Sequence, residues 1–202
     1  VTLAAGQGRR FGGGKLETEI AGKTLYVHAL ERMQAFGGFP AYLVAGPGHM
    51  SEEALEYGVT PVENCEPEKG ISHSLRLGLR RALEHDPNLK GVLFSVCDQP
   101  WLGAATIQEI FNAAALHPGS IVCAGCGEKR GNPVLWDRKY FSELMTLAGD
   151  RGGRQIMEKH RDNLRIVQAE EEELRDIDVR EDLPEAGRLK KRRGDENYGS
   201  EA

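Results

Sequence analysis

The stretch VTLAAGQGRRFGGGK, residues 1–15, places a short apolar segment directly before a loop with five glycines, two arginines and one lysine. Glycines let backbone N–H groups approach an anion closely, and Arg9, Arg10 and Lys15 can neutralise its charge. A strand that leads into such a loop can grip a triphosphate. We therefore expect a phosphate-binding loop behind a first strand; the alternative is a solvated loop whose charges are incidental.

Two familiar glycine-loop signatures do not fit this segment. In a Walker A loop the first glycine would stand where the chain has Arg9, and a leucine replaces the hydroxyl residue after the lysine. In a dinucleotide fingerprint, Phe11 stands where the third glycine belongs. An NAD(P)-binding oxidoreductase is the alternative from a different class, but AYLVAGPG, residues 41–48, offers no charged residue to read a ribose.

Apolar, strand-like runs alternate with amphipathic helical stretches along the rest of the chain. Several runs are apolar at nearly every residue, which is typical of strands covered on both faces. The alternation predicts an α/β domain with a mostly parallel sheet, helices on both faces and a ligand crevice at the carboxyl ends of the strands. The predicted strands are 1–5, 41–45, 91–97, 120–124, 132–136 and 164–169, and the predicted helices are 23–36, 72–85, 104–116, 137–147 and 154–161.

Two segments with carboxylates are expected at this crevice. GVLFSVCDQP, residues 91–100, ends an apolar strand in Asp98, whose carboxylate could hold Mg²⁺ against phosphate oxygens or simply open a turn. RDIDVREDL, residues 175–183, places Asp176 and Asp178 behind a later strand. A carboxylate there could complete the same metal site; the alternative is that Asp178 caps a helix.

Composition limits the classes of partner. The chain has 202 residues, 40% of them hydrophobic, and a formal net charge of −5. It can therefore bury a core, and it lacks the basic excess that broad nucleic-acid binding requires. No apolar run approaches the roughly 18 residues of a membrane helix, and no signal peptide is evident, so we expect a cytoplasmic protein without nucleic-acid or membrane partners. We expect one domain over residues 1–185 and a disordered charged tail over 186–202.

The four cysteines do not form the pattern of a secreted disulfide framework. CAGC, residues 123–126, could be half a zinc site or a redox pair. A zinc site would need a second pair, and a redox motif should open a helix, whereas this segment is predicted to end a strand. We expect free, buried thiols at Cys65, Cys97, Cys123 and Cys126.

Six segments, taken in order, resemble one family, the nucleotidyltransferases related to molybdenum cofactor guanylyl- and cytidylyltransferases. LAAGQGRRFGGGK is similar to the family signature L-A-A-G-x-x-x-R-[MF]-G-x-x-K. The other five segments are GISHSLRLGL, CDQP, RGNPVLW, GDRGGR and DIDVREDL. The resemblance covers the chain to about residue 183 and implies a three-layer, Rossmann-like nucleotidyltransferase fold with a mostly parallel central sheet.

The CDQP, GNPVL and GD-x-G-x-R segments are most similar to the cytidylyltransferase branch. This resemblance implies transfer of CMP from CTP to the phosphate of molybdopterin, with release of pyrophosphate and a requirement for Mg²⁺ or Mn²⁺. The alternatives are guanylyl transfer, transfer to a sugar phosphate or methylerythritol phosphate, and a maturation factor that binds molybdopterin without catalysis. A molybdenum hydroxylase or its maturation chaperone is the implied partner downstream.

The resemblance also implies roles for individual residues. The catalytic residues would be Arg10, Lys15 and Asp98, and the metal ligands would be Asp98 and Asp178. The nucleotide-binding residues would be Leu3, Ala4, Ala5, Gly6, Gly8, Arg10, Lys15, Gly70, Ser72, Ser74 and Asp98. The acceptor-binding residues would be Gln99, Pro100, Gly131, Asn132, Pro133, Asp150 and Arg154.

Such a reaction needs no nucleophile from the protein. In phosphoryl transfer the protein mainly positions the reactants and neutralises charge, so a lysine, an arginine and one metal ion around the α-phosphate suffice. The attacking phosphate of the acceptor is ionised at neutral pH and needs no strong base. One departure from the family lies in residues 15–25, KLETEIAGKTL, where the family reads K-L-L-L-P; it bears on the acceptor more than on the nucleotide.

Overall fold

In the computed structural model, the described residues are 1–6, 8, 10–36, 38–47 and 51–184. They form nine strands. These are β1 (Thr2–Leu3), β2 (Glu19–Ile20), β3 (Lys23–Thr24), β4 (Tyr42–Ala45), β5 (Thr60–Glu63), β6 (Gly91–Val96), β7 (Ile121–Cys126), β8 (Lys129–Asp137) and β9 (Leu164–Gln168). Arg9 and the predicted tail over 186–202 lie outside the described residues.

Six α-helices connect or flank these strands within the described ranges. They are α1 (Leu25–Ala35), α2 (Ser51–Glu56), α3 (Ile71–His85), α4 (Ala104–Leu116), α5 (Phe141–Thr146) and α6 (Arg154–Lys159). None of the described helices is long and apolar enough to cross a membrane.

The central sheet contains seven strands in the order β5-β4-β1-β6-β8-β7-β9, and β2 and β3 form a separate small hairpin. All neighbours pair in parallel except β8, which runs antiparallel to both β6 and β7. β8 is reversed because a tight turn at Gly127, with φ +58°, returns the chain directly from β7. The predicted mostly parallel α/β sheet is confirmed, with this one reversed strand inside it.

Helices cover both faces of the sheet because alternate strand residues point in opposite directions. Ile121 and Trp136 pack with α3, α5 and α6, whereas the neighbouring residues Val122 and Leu135 pack with α4. All four side chains are at least nine-tenths buried. The rigid sheet therefore leaves its carboxyl edge free for loops.

The structure corrects the predicted elements in two places. The predicted helix 137–147 is a 3₁₀ turn at Arg138–Tyr140 followed by α5, because the Asp137 carboxylate accepts backbone hydrogen bonds from Gly119 and Lys139 and holds a turn there. The segment that forms α2 and β5 was not predicted. β5 carries a proline and only one strongly apolar residue, a composition that an edge strand tolerates.

The predicted free state of the cysteines is confirmed, but the predicted burial is wrong for Cys65 and for Cys126, which is partly exposed. All four are free, and Cys97 and Cys123 are buried in the sheet. Cys65 is exposed, so its predicted burial is wrong; it lies in the loop between β5 and the next 3₁₀ turn. The CAGC segment forms the end of β7 and does not open a helix, which disfavours the redox interpretation.

Candidate active site

A cavity of about 370 Å³ lies at the carboxyl ends of β1 and β6. Its walls come from the loops after these two strands, from the start of α3 and from the segment before α6. The lining residues are Leu3, Ala4, Ala5, Gly6, Gly8, Lys15, Leu16, Pro67, Glu68, Gly70, Ile71, Ser74, Val96, Cys97, Asp98 and Asp150. This is the edge where an open α/β sheet binds its ligands.

Three of the predicted functional side chains meet at one side of this cavity. The Lys15 ammonium group donates to Asp98 Oδ2 at 2.7 Å and lies 3.5 Å from Asp178 Oδ1. The Lys15 side chain is only 14% exposed, which keeps it less screened than a surface charge. Arg10 lies further out, with Nη1 4.0 Å from Asp178 Oδ2 and a side chain that is 83% exposed.

The glycine loop is folded so that it can present its backbone to a ligand. The Gly8 carbonyl accepts hydrogen bonds from the backbone N–H groups of Phe11 and Gly12 at 3.0 and 3.1 Å. Gly8 has φ +53°, and a Cβ there would lie 3.4 Å from the Lys15 side chain. A side chain at position 8 would therefore be strained by the positive φ, although it would only touch the lysine.

A small apolar cluster holds the Asp178 segment against the glycine loop. Phe11 and Ile177 are 2% and 0% exposed and pack together with Ile20 and Leu25. The backbone N–H of Ile177 also donates to the Asp98 carbonyl at 2.9 Å. These contacts join the 176–178 segment to two distant parts of the chain, the glycine loop and the turn at Asp98, and they place the two carboxylates beside the same lysine.

The cap in this segment is provided by Asp182, not by Asp178. The Asp182 carboxylate accepts from the backbone N–H groups of Asp178 and Val179, both at 2.8 Å. The alternative in which Asp178 itself caps a helix is therefore wrong. The Asp178 carboxylate remains available to Lys15 and Arg10.

The donor set fits a small divalent cation. Asp98 and Asp178 both direct a carboxylate oxygen at the same ammonium group, so a cation could sit between the same oxygens, and oxygen is the ligand that Mg²⁺ and Mn²⁺ prefer. No group of three or more His, Cys, Asp or Glu residues that could hold a metal occurs among the described residues. Phosphate oxygens and water would have to fill the remaining positions, as is usual for Mg²⁺.

Comparison with known proteins assigns this site to a family. The family model described as the MobA-like NTP transferase domain matches residues 1–164, and this match includes the glycine loop and Asp98. The chain belongs to the MobA-like NTP transferase family. It is accordingly a nucleotidyltransferase.

Two relatives cover most of this MobA-like chain. The purine catabolism protein PucB of Bacillus subtilis (strain 168) is 26% identical over 193 residues, which are 90% of this chain and 92% of PucB. A molybdenum cofactor guanylyltransferase of Mesorhizobium japonicum is 27% identical over 198 residues, which are 94% of each chain.

A solved structure shares the fold. Rv0371c from Mycobacterium tuberculosis H37Rv has a TM-score of 0.72 and 24% identity, over 90% of this chain and 92% of that one. Its complex with manganese has a TM-score of 0.62 over 83% and 85% of the two chains. The MobA-like fold is thus shown along the chain by both sequence and structure.

A third carboxylate lies near the pair in the MobA-like site. Partial loss of hydration, and next the negative charge of Asp98, raise the pKa of the Asp176 carboxyl to about 6, while a hydrogen bond from Gln99 opposes the shift. The sequence placed Asp176 beside Asp178 after a strand but gave it no role in the site. Its alternation with Asp178 about the buried Ile177 was the signal that both carboxylates face the open side of the segment.

On the nucleotide side, all the predicted residues except Arg10 and Ser72 line the cavity, and Arg10 lies further out beside Asp178. Gly70 and Ser74 line the cavity, but Ser72 does not, because it is fully buried against the segment before α6. Its backbone N–H donates to the Gly149 carbonyl at 3.2 Å, and its hydroxyl accepts from Arg76. The predicted nucleotide contact of the Ser72 side chain is therefore corrected.

Asp150 lines the same cavity as the glycine loop, although it was predicted at the rim of a separate acceptor pocket. A Cβ on Gly70 would lie 2.5 Å from Asp150 Oδ1 and 2.6 Å from the Gly149 carbonyl oxygen. Gly70 also has φ +82°, so only glycine fits this close approach of two loops. The approach brings the Asp150 carboxylate to the cavity wall.

The other predicted acceptor residues are not brought to this cavity. Gln99 is 2% exposed, and its amide donates to the Leu174 carbonyl at 3.1 Å, so its side chain points into the protein and not to an acceptor. The remaining five residues are also absent from the cavity wall: Pro100, Gly131, Asn132, Pro133 and Arg154. Three of these lie on β8, and Arg154 begins α6.

A larger cavity, of about 890 Å³, lies at the amino ends of the strands. Its lining is rich in aromatic side chains, including Phe36, Phe39 and Phe111. None of the predicted site residues lines it, and it lies at the edge of the sheet opposite to the usual ligand crevice. The smaller cavity, with its convergent charges, is the better candidate for the active site.

Proposed function

We propose that this MobA-like nucleotidyltransferase transfers CMP from CTP to the phosphate of molybdopterin and releases pyrophosphate. The observation that carries the proposal is the convergence of Lys15, Asp98 and Asp178 beside a glycine loop, with Lys15 and Asp98 lining a cavity at the carboxyl edge of the sheet and Asp178 paired with Lys15. Anion-binding backbone, a cation and two metal-binding carboxylates are the parts that phosphoryl transfer requires.

Asp98 and Asp178 would hold the Mg²⁺ ion in this reaction. When bound, the ion supplies positive charge to the phosphate oxygens of the triphosphate. Asp98 is the better-fixed ligand because its side chain is 26% exposed and its carbonyl is tied to Ile177. The Asp178 side chain is 55% exposed and approaches from the opposite side of the site.

Lys15 and Arg10 would act on different phosphates. Lys15 is short of solvent and lies between the carboxylates, so it is placed to neutralise the α-phosphate as charge develops there. Arg10 is highly exposed and lies further along the loop, where it can reach the β- and γ-phosphates and stabilise the leaving pyrophosphate. The backbone N–H groups of Gly6 and Gly8 would bind the same oxygens.

Two lines of support favour molybdopterin as the acceptor. One relative over 94% of the chain is named molybdenum cofactor guanylyltransferase, and the six ordered sequence segments resemble enzymes of that group. CTP is favoured over GTP because CDQP and GNPVL are most similar to the cytidylyl branch. The product would pass to a molybdenum hydroxylase or its maturation chaperone.

A test of the proposal measures pyrophosphate release with Mg²⁺ and each of the four ribonucleoside triphosphates, with and without molybdopterin. We expect release that requires both CTP and molybdopterin. Dependence on GTP would move the protein to the guanylyl branch. If every triphosphate is inert with molybdopterin, the acceptor assignment is wrong, and a sugar phosphate and methylerythritol phosphate are then the acceptors to assay.

A further inference from the structure

Arg32 of α1 is a buried cation directly beneath the Asp98 turn. The residue is only 8% exposed. Its Nη1 donates to the Gln99 carbonyl at 2.8 Å, and its Nη2 lies 3.4 Å from the Val96 carbonyl oxygen. These two carbonyls belong to the residues on either side of the Cys97–Asp98 pair, so one guanidinium spans the turn that carries the carboxylate.

The same turn is held from its other side. The backbone N–H of Ile177 donates to the Asp98 carbonyl at 2.9 Å, and the buried Ile177 side chain anchors that donor. The Asp98 backbone is therefore fixed between α1 below and the 176–178 segment above. With the backbone fixed, few rotamers remain for a carboxylate that also accepts from Lys15.

The chemistry of the side chain argues for a specific role. A buried charge is costly unless it is fully hydrogen-bonded, and an apolar side chain of similar length would often pack as well in such a place. Arginine offers a planar fork whose donors lie on separate nitrogens at a fixed separation, whereas the donors of lysine share one freely rotating nitrogen and methionine has none. Two donors at a fixed separation set the shape of a turn, whereas one donor does not.

We propose that Arg32 is a positioning residue that holds the turn after β6 so that Asp98 faces the metal and the triphosphate. The inference rests on the proposed function of the site, since it assigns Arg32 a part in metal binding through Asp98. Arg32 does not touch the ligands itself. It acts by keeping the carboxylate where Lys15 and Asp178 require it.

The test compares Mn²⁺ binding, followed through the EPR signal of the free ion, in the wild type and in four variants. Arg32→Met removes both donors, Arg32→Lys keeps the charge but loses the fork, and Asp98→Asn removes the carboxylate. Arg138→Met is the matched control, because Arg138 also donates to two backbone carbonyls, those of Pro87 and Leu89, far from the site. Melting temperatures are measured on every variant.

We expect Arg32→Met to weaken Mn²⁺ binding about tenfold, the effect expected when a group that orients a metal ligand is lost. The Mn²⁺ affinity of Arg32→Lys should lie between those of Arg32→Met and the wild type, and Arg138→Met should bind Mn²⁺ normally. In the transfer assay the half-saturating Mg²⁺ concentration should rise in the same order. If Arg32→Met is too unstable to purify, Arg32→Lys carries the test with the same expected order.

Two outcomes would overturn the inference in distinguishable ways. Normal Mn²⁺ affinity in the Arg32 variants, together with weakened binding in Asp98→Asn, would show that Arg32 serves stability alone. Normal affinity in Asp98→Asn would contradict the metal site of the proposed function itself, and the role of Arg32 would fail with it. If Arg138→Met lowers the Mn²⁺ affinity as much as Arg32→Met does, the effect comes from losing any arginine that donates to two backbone carbonyls, and the inference fails.

Discussion

The nucleotide side of the site and its predicted acceptor side are built in different ways. On the nucleotide side, the glycine loop, Asp98 and the 176–178 segment come from distant parts of the chain and meet around Lys15. On the acceptor side, residues 131–133 and Arg154 lie on separate elements and line no part of the same cavity. A phosphate-binding centre depends on fixed backbone, whereas acceptor recognition depends on side chains set around it.

This difference between the two sides determines which substitutions should affect activity or folding most. Residues on the nucleotide side are held by burial and by main-chain hydrogen bonds, so changes there should alter chemistry or folding. Residues on the acceptor side should change only the affinity for one substrate. Four predictions follow this order, from the largest effect to the smallest.

Lys15→Met should have the largest effect, a loss of about a thousandfold in kcat with little change in melting temperature, because a preorganised charge at the reacting phosphate is removed. Initial rates of pyrophosphate release at saturating CTP measure it. Lys23→Met is a suitable control, since Lys23 forms an exposed ion pair with Glu31 outside the cavity. Activity within tenfold of the wild type would contradict the role of Lys15.

Asp178→Asn should lower kcat about a hundredfold and raise the Mg²⁺ concentration needed for half-maximal rate. The effect should be smaller than that of Lys15→Met because Asp178 is more exposed. Rates over a Mg²⁺ titration provide the measurement, and Asp162→Asn, remote on the surface, is the control. If the Mg²⁺ concentration for half-maximal rate is unchanged, Asp178 is not a metal ligand.

Ile177→Ala should destabilise the protein by about 2–5 kcal/mol, because it opens a cavity under a fully buried side chain. It should also lower kcat about tenfold, since the carboxylates on either side lose their anchor. Ile110→Ala is matched in burial but packs between α4 and the sheet, so it should cost similar stability without this loss. Equal kcat values for the two variants would contradict the anchoring role.

Asp150→Asn should have the smallest effect, and it tests whether Asp150 belongs to the nucleotide side or to the acceptor side. Because Asp150 lies over Gly70 in the nucleotide cavity, we expect a several-fold change in KM for CTP and none in KM for molybdopterin. Asn132→Ala should show the reverse pattern. If Asp150→Asn changes only the KM for molybdopterin, Asp150 acts on the acceptor and not on the nucleotide.

Much of this architecture could be predicted from the sequence because its signals are local. An apolar strand followed by glycines and cations, or by a lone carboxylate, places functional groups at the carboxyl edge of a sheet. The reversed β8 could not be predicted in this way, since periodicity does not report strand direction. The prediction of a strand over 132–136 was therefore correct, but it did not include the direction of that strand.

The misplaced site residues share a physical cause. Ser72 lies two residues from Gly70 and Ser74, and Gln99 follows Asp98; these neighbours line the cavity, but one or two steps along a helix or turn rotate a side chain to another face. Arg32 lies in none of the motifs, and the role of Ile177 within DIDVREDL follows only from long-range contacts. Tertiary packing, which a single sequence does not display, decides all four positions.

The most direct measurement follows the α-phosphate of CTP. CTP labelled at that position is incubated with Mg²⁺, molybdopterin and either the wild type or Asp98→Asn, and the label on molybdopterin is quantified. We expect one labelled CMP per molybdopterin with the wild type and a loss of about a hundredfold or more with the variant. Equal labelling by both proteins would contradict the claim that Asp98, beside Lys15 and Asp178, forms the centre of nucleotidyl transfer.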